Sequence, residues 1–287
     1  MKIADIQPAL FERFKHILRV NKLSHAYLFS GGFGSLDMAI WLSQAIFCEN
    51  LQDNLPCENC RHCRLVARDE FSDLHIIRPE GQTIKTGQIR DLSEVFSQSG
   101  FEGAQKVVII TEAEKMHSNA ANALLKSIEE PDNATHVFLL TENESLMLPT
   151  IKSRTQVFSF PKNSAYMQEI LEKNGILKTQ AELLSRVCSS AEEAQELGGS
   201  TWFNDTLKKL QQLLKLVKTD RREAFLYLTS VSENIEDKEK QSLVFSLLLE
   251  LFNQEKMPDW VQKTFWAEKM WKSNVRFGSC LEYIVLK

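Results

Sequence analysis

The stretch His25-Ala26-Tyr27-Leu28-Phe29-Ser30-Gly31-Gly32-Phe33-Gly34-Ser35-Leu36-Asp37-Met38 decides how the chain is read. It opens with a short apolar strand, His25 to Phe29, passes through a glycine-rich turn and enters a helix that is apolar at Met38, Trp41, Leu42, Ala45 and Ile46. That order is the setting of a phosphate-binding loop, G-x-x-x-x-G-K-[ST], whose backbone N–H groups and lysine take the phosphates and whose hydroxyl takes Mg²⁺. Counted from Gly31, the second glycine is Leu36, the lysine is Asp37 and the hydroxyl residue is Met38. A carboxylate beside polyphosphate repels it. A leucine Cβ obstructs the close backbone approach, and a thioether offers Mg²⁺ no hard oxygen. Gly31, Gly32, Gly34 and Asp37 therefore read as a degenerate cofactor loop that supports no ATP hydrolysis, and no ATP is expected to bind this chain.

A plain strand-to-helix turn would look the same at Gly31 to Gly34, and a second site separates the two readings. Phosphate-loop proteins carry a later apolar strand ending in an Asp for Mg²⁺, often followed by Glu. Here Val107-Val108-Ile109-Ile110 ends in Thr111-Glu112-Ala113-Glu114, with Thr111 in the metal position. Both sites keep the backbone pattern and lose the ligands, which one degenerate nucleotide-binding fold explains.

The surrounding pattern alternates. A helix starts at Pro8 with Leu10, Phe11, Phe14, Ile17 and Leu18 as its apolar stripe. Strands follow at Leu74 to Ile77, Val107 to Ile110, His136 to Leu140 and Val157 to Phe160, with helices from about Thr86 to Ser97 and Ser118 to Glu129 between them. Such alternation predicts an α/β fold whose parallel sheet is covered on both faces. Six of the 7 prolines and 7 of the 11 glycines precede residue 162, so the remainder is expected to be helical. A break at Gly198-Gly199-Ser200 divides that remainder. The expected domains are 1–161, with a cysteine module at about 48–66, then 162–201 and 202–287.

Composition narrows the function classes. The 287 residues are 25% charged and 43% hydrophobic with net charge −4, which suits a globular chain and excludes a basic nucleic-acid-coating protein. The N-terminal MKIADIQPALFERFKH has no apolar signal core, and no apolar run approaches a membrane span, so a cytoplasmic location is expected. In that reducing setting, Cys48, Cys57, Cys60 and Cys63 suit a closed tetrahedral Zn²⁺ site better than disulfides. Pro56-Cys57-Glu58-Asn59-Cys60 imitates half of a zinc deaminase signature, but the H-x-E half is missing, since Leu18 and Tyr27 follow His16 and His25 at that spacing. A redox C-x-x-C and His62 as a substitute ligand are the other readings of the cluster.

Three segments carry a family resemblance: His25 to Gly31, Asn119-Ala120-Ala121-Asn122-Ala123-Leu124-Leu125-Lys126-Ser127-Ile128-Glu129-Glu130-Pro131, and Pro149-Thr150-Ile151-Lys152-Ser153-Arg154. On them the chain resembles the AAA+ subunits of bacterial sliding-clamp loaders, and within that family the members whose nucleotide loop is degraded. The resemblance is strongest over residues 20–162. It implies an AAA+ core with an inserted zinc module, a small helical lid, and an all-α C-terminal collar used for oligomerisation.

The resemblance also implies the roles. Ser153-Arg154-Thr155 looks like the family's Ser-Arg-Cys element, whose arginine reaches across a subunit interface to the γ-phosphate of a neighbour's ATP. An always-charged planar fork suits that task. Ser190-Ala191-Glu192-Glu193-Ala194 shows acids where an ATPase lid presents arginine, and Thr141 occupies a nucleotide-sensing position that here reads as a strand-end hydroxyl. The implied function is a non-hydrolysing stator in the polymerase holoenzyme. Its partners would be gamma/tau-type ATPase subunits and a delta subunit, with the sliding clamp and primed DNA reached through the complex. An active AAA+ motor and a zinc-containing adaptor outside replication are the alternatives. Trp260, Phe265, Trp266 and Trp271 fit either a core or an interface.

Overall fold

Strand β1 (Ala26–Ser30) is buried along nearly its whole length, and the sheet is assembled around it. The computed structural model describes residues 3–89, 105–129, 135–233 and 235–286. Among them the other strands are β2 (Leu74–Ile77), β3 (Lys106–Ile110), β4 (Thr135–Thr141) and β5 (Gln156–Ser159), in the order β2-β3-β4-β1-β5. Every pairing is parallel. Strands buried on both faces need no polar alternation, which is why Tyr27-Leu28-Phe29 and Val107-Val108-Ile109-Ile110 read as unbroken apolar runs. Strand limits differ from the sequence reading by about one residue. β1 reaches Ser30, because the Ser30 carbonyl accepts from Phe160 N (2.6 Å) beyond the end of β5.

The two faces of β1 carry different cores. Tyr27 and Phe29 meet Phe14, Phe138 and Phe158, with Tyr27 and Phe138 stacked at 5.8 Å between centroids. Ala26 and Leu28 face an aliphatic layer that includes Val108, Val137, Leu139, Ala120, Leu124 and Ile128. The stripe of the Pro8–Arg19 helix delivers Phe14 and Leu18 to the core, and Ala120, Leu124 and Ile128 recur at helical spacing on the Ser118–Glu129 helix. Residues 86–89 are helical, while the rest of the helix expected to Ser97 lies outside the described residues, as do Glu130 and Pro131. Short helices at Ile3–Ile6, Arg61–Ala67 and Pro149–Lys152 went unforeseen, being too brief for a periodicity to form.

The chain divides into two compact units, Met1–Asn163 and Ser164–Lys287. The second is all helical among its described residues, from Ser164–Lys173 through Phe277–Leu286. At the Gly198-Gly199-Ser200 break, one helix ends at Gly199 and Ser200 caps the next by accepting from Phe203 N. Trp260 is buried against Phe252, and Trp271 packs on Phe245 and donates to Gln241 Oε1 (2.7 Å). Phe265 and Trp266 are exposed. No helix among the described residues is long and apolar enough to cross a membrane.

Phe138 has no exposed surface and touches both aromatics of β1. Phe138→Ala is expected to destabilise the chain by about 3–5 kcal/mol, read from the shift of a urea unfolding midpoint.

Candidate functional site

The glycine-rich turn is held by its backbone and filled by its own chain. Gly31 adopts φ +105° and donates its N–H to Thr141 O (2.7 Å); a Cβ there would lie 2.2 Å from Phe160 O, so only glycine fits. Gly34, at φ +81°, opens the Ser35–Phe47 helix in a left-handed conformation, and a Cβ on it would meet Ile6 Cγ2 at 2.9 Å and Ile3 Cδ1 at 3.0 Å. Ile3 and Ile6 are buried, and the buried Gln7 side chain donates to Phe33 O (2.9 Å) and Pro161 O (2.6 Å). Residues Ile3 to Gln7 are thus a plug that sequence reasoning missed. Its signal was the Ile3/Ile6 spacing just before Pro8.

Carboxylates surround this turn. Asp37 sits in the first turn of the Ser35–Phe47 helix, where its charge answers the positive end of the helix dipole that a phosphate would otherwise meet. Glu142 Oε1 lies 3.6 Å from the point where a Gly32 Cβ would project. In the metal position, Thr111 turns its hydroxyl to Ile77 O (3.2 Å). Glu112 pairs with Lys115, whose pKa is raised by that bond and by Glu114 and Glu142 nearby. Glu114 Oε2 is buried without a hydrogen-bond partner among the described residues. Thr141 donates to Asn143 O and accepts from Asn143 N, both at 3.2 Å, as a strand-end turn does.

Arg154 lies at the other edge of the sheet. β5 runs parallel to β1 with Tyr27 opposite Gln156 and Ser30 opposite Ser159, so Arg154 falls where β1 begins and Gly31 where β1 ends. Six residues of strand rise separate these two levels, about 20 Å. Arg154 closes the turn after the Pro149–Lys152 helix, with its N–H on Ile151 O (3.0 Å). Its Nη1 donates to Thr150 O (3.0 Å) and Ser153 Oγ (3.2 Å), its Nε pairs with Glu129 Oε1, and its side chain stays 38% exposed. Ser153 donates its hydroxyl to Thr150 O (3.0 Å), and Thr155 donates to Ile151 O (3.0 Å). In the second unit, Ser190 accepts from Glu193 N while Glu193 Oε2 accepts from Ser189 N (2.7 Å), a helix cap built from the acids of that stretch.

The cysteine segment folds into a cage. Cys48, Cys57, Cys60 and Cys63 bring their sulfurs within 4.8 Å of one another. A tetrahedral Zn²⁺ with ~2.3 Å bonds needs sulfur separations near 3.8 Å, so the set fits a metal ion with small adjustment. Backbone N–H groups point at the sulfurs: Cys57 to Cys48 Sγ at 3.3 Å, Cys60 to Cys57 Sγ at 3.3 Å and Cys63 to Cys60 Sγ at 3.4 Å. The backbone N–H groups of Asn59 and Cys60 lower the Cys57 pKa to about 7, whereas burial, and then the Cys60 and Cys48 side chains, push that of Cys63 well up. Four such thiols ionise together only around a cation. His62 is turned away, with Nδ1 donating to Phe47 O (3.0 Å) and Nε2 lying 3.4 Å from Glu49 Oε1.

Residues 6–164 match the family model described as DNA polymerase III, delta subunit. The Bacillus subtilis DNA polymerase III subunit delta' is 35% identical over 228 residues, covering 78% of this chain and 69% of the relative. The chain belongs to the DNA polymerase III delta' family. The Pseudomonas aeruginosa delta' subunit is 33% identical over 75% of this chain and 68% of its own length. The related tau subunit of Bacillus subtilis is 28% identical over 88% of this chain and 46% of its own. Among solved structures, a gamma subunit-related protein of Thermotoga maritima aligns over 96% of both chains with TM-score 0.48 and 21% identity. The family is clamp-loader-related, and the parallel sheet followed by a helical second part is the α/β architecture anticipated from sequence.

Gln7→Ala would strip the donor from two carbonyl oxygens that hold the loop. It is expected to cost about 1–3 kcal/mol in thermal or urea unfolding.

Proposed function

We propose that the chain is the non-hydrolysing stator of a bacterial sliding-clamp loader and supplies Arg154 in trans to a neighbouring ATPase subunit. The separation of Arg154 from the glycine turn carries this reading: about 20 Å along the strand direction is too far for the arginine to serve its own loop. That loop offers Leu36, Asp37 and Met38 where phosphate and metal ligands belong, and it is closed by Ile3, Ile6 and Gln7. A half-exposed guanidinium at a helix end suits a neighbour's γ-phosphate, where it stabilises the charge that develops as the phosphoryl group transfers. Ser153 holds Nη1 in place.

The assembly would comprise gamma/tau-type ATPase subunits and a delta subunit in the cytoplasm, acting on the sliding clamp and primed DNA. Residues 162–201 would form the lid and 202–287 the collar, with exposed Phe265 and Trp266 available to partner subunits. The four cysteines would hold one structural Zn²⁺, which fastens the segment between the Ser35–Phe47 helix and β2 and leaves no open coordination position.

The isolated chain is expected to show no Mg²⁺-dependent ATP turnover. In a complex reconstituted with motor subunits, Arg154→Ala should lower clamp- and DNA-stimulated hydrolysis by about tenfold or more at the site it completes. Tight ATP binding with turnover by the isolated chain, or unchanged hydrolysis with Arg154→Ala, would overturn the proposal. Native mass spectrometry is expected to find one zinc per chain, lost in Cys63→Ser. Its affinity should fall with acidification, because the thiolates must be reprotonated; a metal-free native protein with unchanged stability would refute the zinc assignment.

A further inference from the structure

We infer that Glu129 is the positioning residue for Arg154, holding the guanidinium in the orientation it presents to a neighbour's nucleotide; this rests on the trans-arginine reading above. Glu129 is the last residue of the Ser118–Glu129 helix, and a negative charge at a helix C-terminus opposes the macrodipole. Its placement therefore works against helix stability, and the cation that answers it is Arg154, through Nε. The helix end is itself fixed: Ile128 is buried in the aliphatic core, and its carbonyl accepts from His25 Nε2 at 3.1 Å. The carboxylate thus projects from a rigid base at the same sheet edge as Arg154.

Arg154 is gripped on two sides. Nε meets Glu129, while Nη1 donates to Thr150 O (3.0 Å) and Ser153 Oγ (3.2 Å). These contacts engage Nε on one side of the guanidinium and Nη1 on another. Two anchor points fix the plane of a guanidinium, so part of the rotamer freedom an arginine loses on engaging a phosphate is already lost in the free chain. The side chains of Arg154 and Glu129 are 38% and 45% exposed, so the pair is a weak surface contact. It orients the arginine without trapping it, and a polyphosphate carrying several charges competes for the guanidinium successfully. Glu129 lies in residues 124–131, whose sequence alone reads as a structural helix and its stop.

The test is a double-mutant cycle in the reconstituted complex, measuring clamp- and DNA-stimulated ATP hydrolysis for the wild type, Glu129→Gln, Arg154→Ala and the double variant. Glu129→Gln is expected to lower kcat about three- to fivefold with KM for ATP unchanged, the size of a surface pair's contribution. In the Arg154→Ala background it should have no further effect. Glu129→Asp, which keeps the charge, should recover part of the loss, and the gap between wild type and Glu129→Gln should narrow as salt screens the pair. If Arg154→Ala leaves hydrolysis unchanged, the trans-arginine reading itself fails. If Arg154→Ala lowers hydrolysis but Glu129→Gln does not, or Glu129→Gln is equally damaging without Arg154, the positioning role is refuted and the arginine reading stands.

Discussion

The carbonyl oxygen of Phe160 stands where a side chain on Gly31 would begin, and the nucleotide-like end of the sheet is arranged around that contact. It lets the chain leaving β5 close on the chain leaving β1, with Phe160 N on Ser30 O and Gly31 N on Thr141 O joining the ends of three neighbouring strands. The requirement is for a glycine backbone, and it holds whether or not a phosphate ever binds. Gly31 is therefore needed in a loop that has Leu36, Asp37 and Met38 where a phosphate loop places its ligands. The conformation of Gly34 is fixed in the same internal way, by Ile3 and Ile6 rather than by a ligand.

Parallel pairing divides the chemistry of the first unit between two edges. The C-terminal ends of β1, β3 and β4 carry the glycine turn, Thr111 and Thr141, where hydroxyls are spent on backbone oxygens and carboxylates crowd the approach. The N-terminal end of β5 carries Arg154, and the helix preceding β4 brings Glu129 to it. A fold with an antiparallel β5 would have put the arginine beside the glycine turn. Parallel register instead keeps it about six residues of strand rise from that turn, against Glu129, Thr150 and Ser153.

The cysteine module depends on a different economy of charge. Backbone N–H groups favour thiolate at Cys57, while burial disfavours it at Cys63, so a cation among the four sulfurs would favour their ionising together. The spacing of the cysteines announced this in the sequence, because a closed tetrahedral site needs four soft ligands from a short stretch. The same spacing made His62 the weaker candidate, and the fold adds a reason for its exclusion. Phe47 O and Glu49 draw the imidazole away from the cage.

The sequence by itself determined the α/β character, the parallel sheet, the helical second part, the glycine turn without a phosphate-loop lysine and a cysteine spacing that suits a metal ion. Each of these is written in local patterns: apolar runs too long for a one-sided strand, glycine where φ is positive, Asp37 in place of a lysine, thiols at short spacing. Only the tertiary structure decided that Ile3, Ile6 and Gln7 fill the turn, that Arg154 and Gly31 lie at opposite edges, and that Glu129 meets Arg154. Gln7 is 154 residues from Pro161, and Glu129 is joined to Arg154 through β4 and the Pro149–Lys152 helix. Contacts at such separations leave no periodicity in the chain, because strand order and register create them.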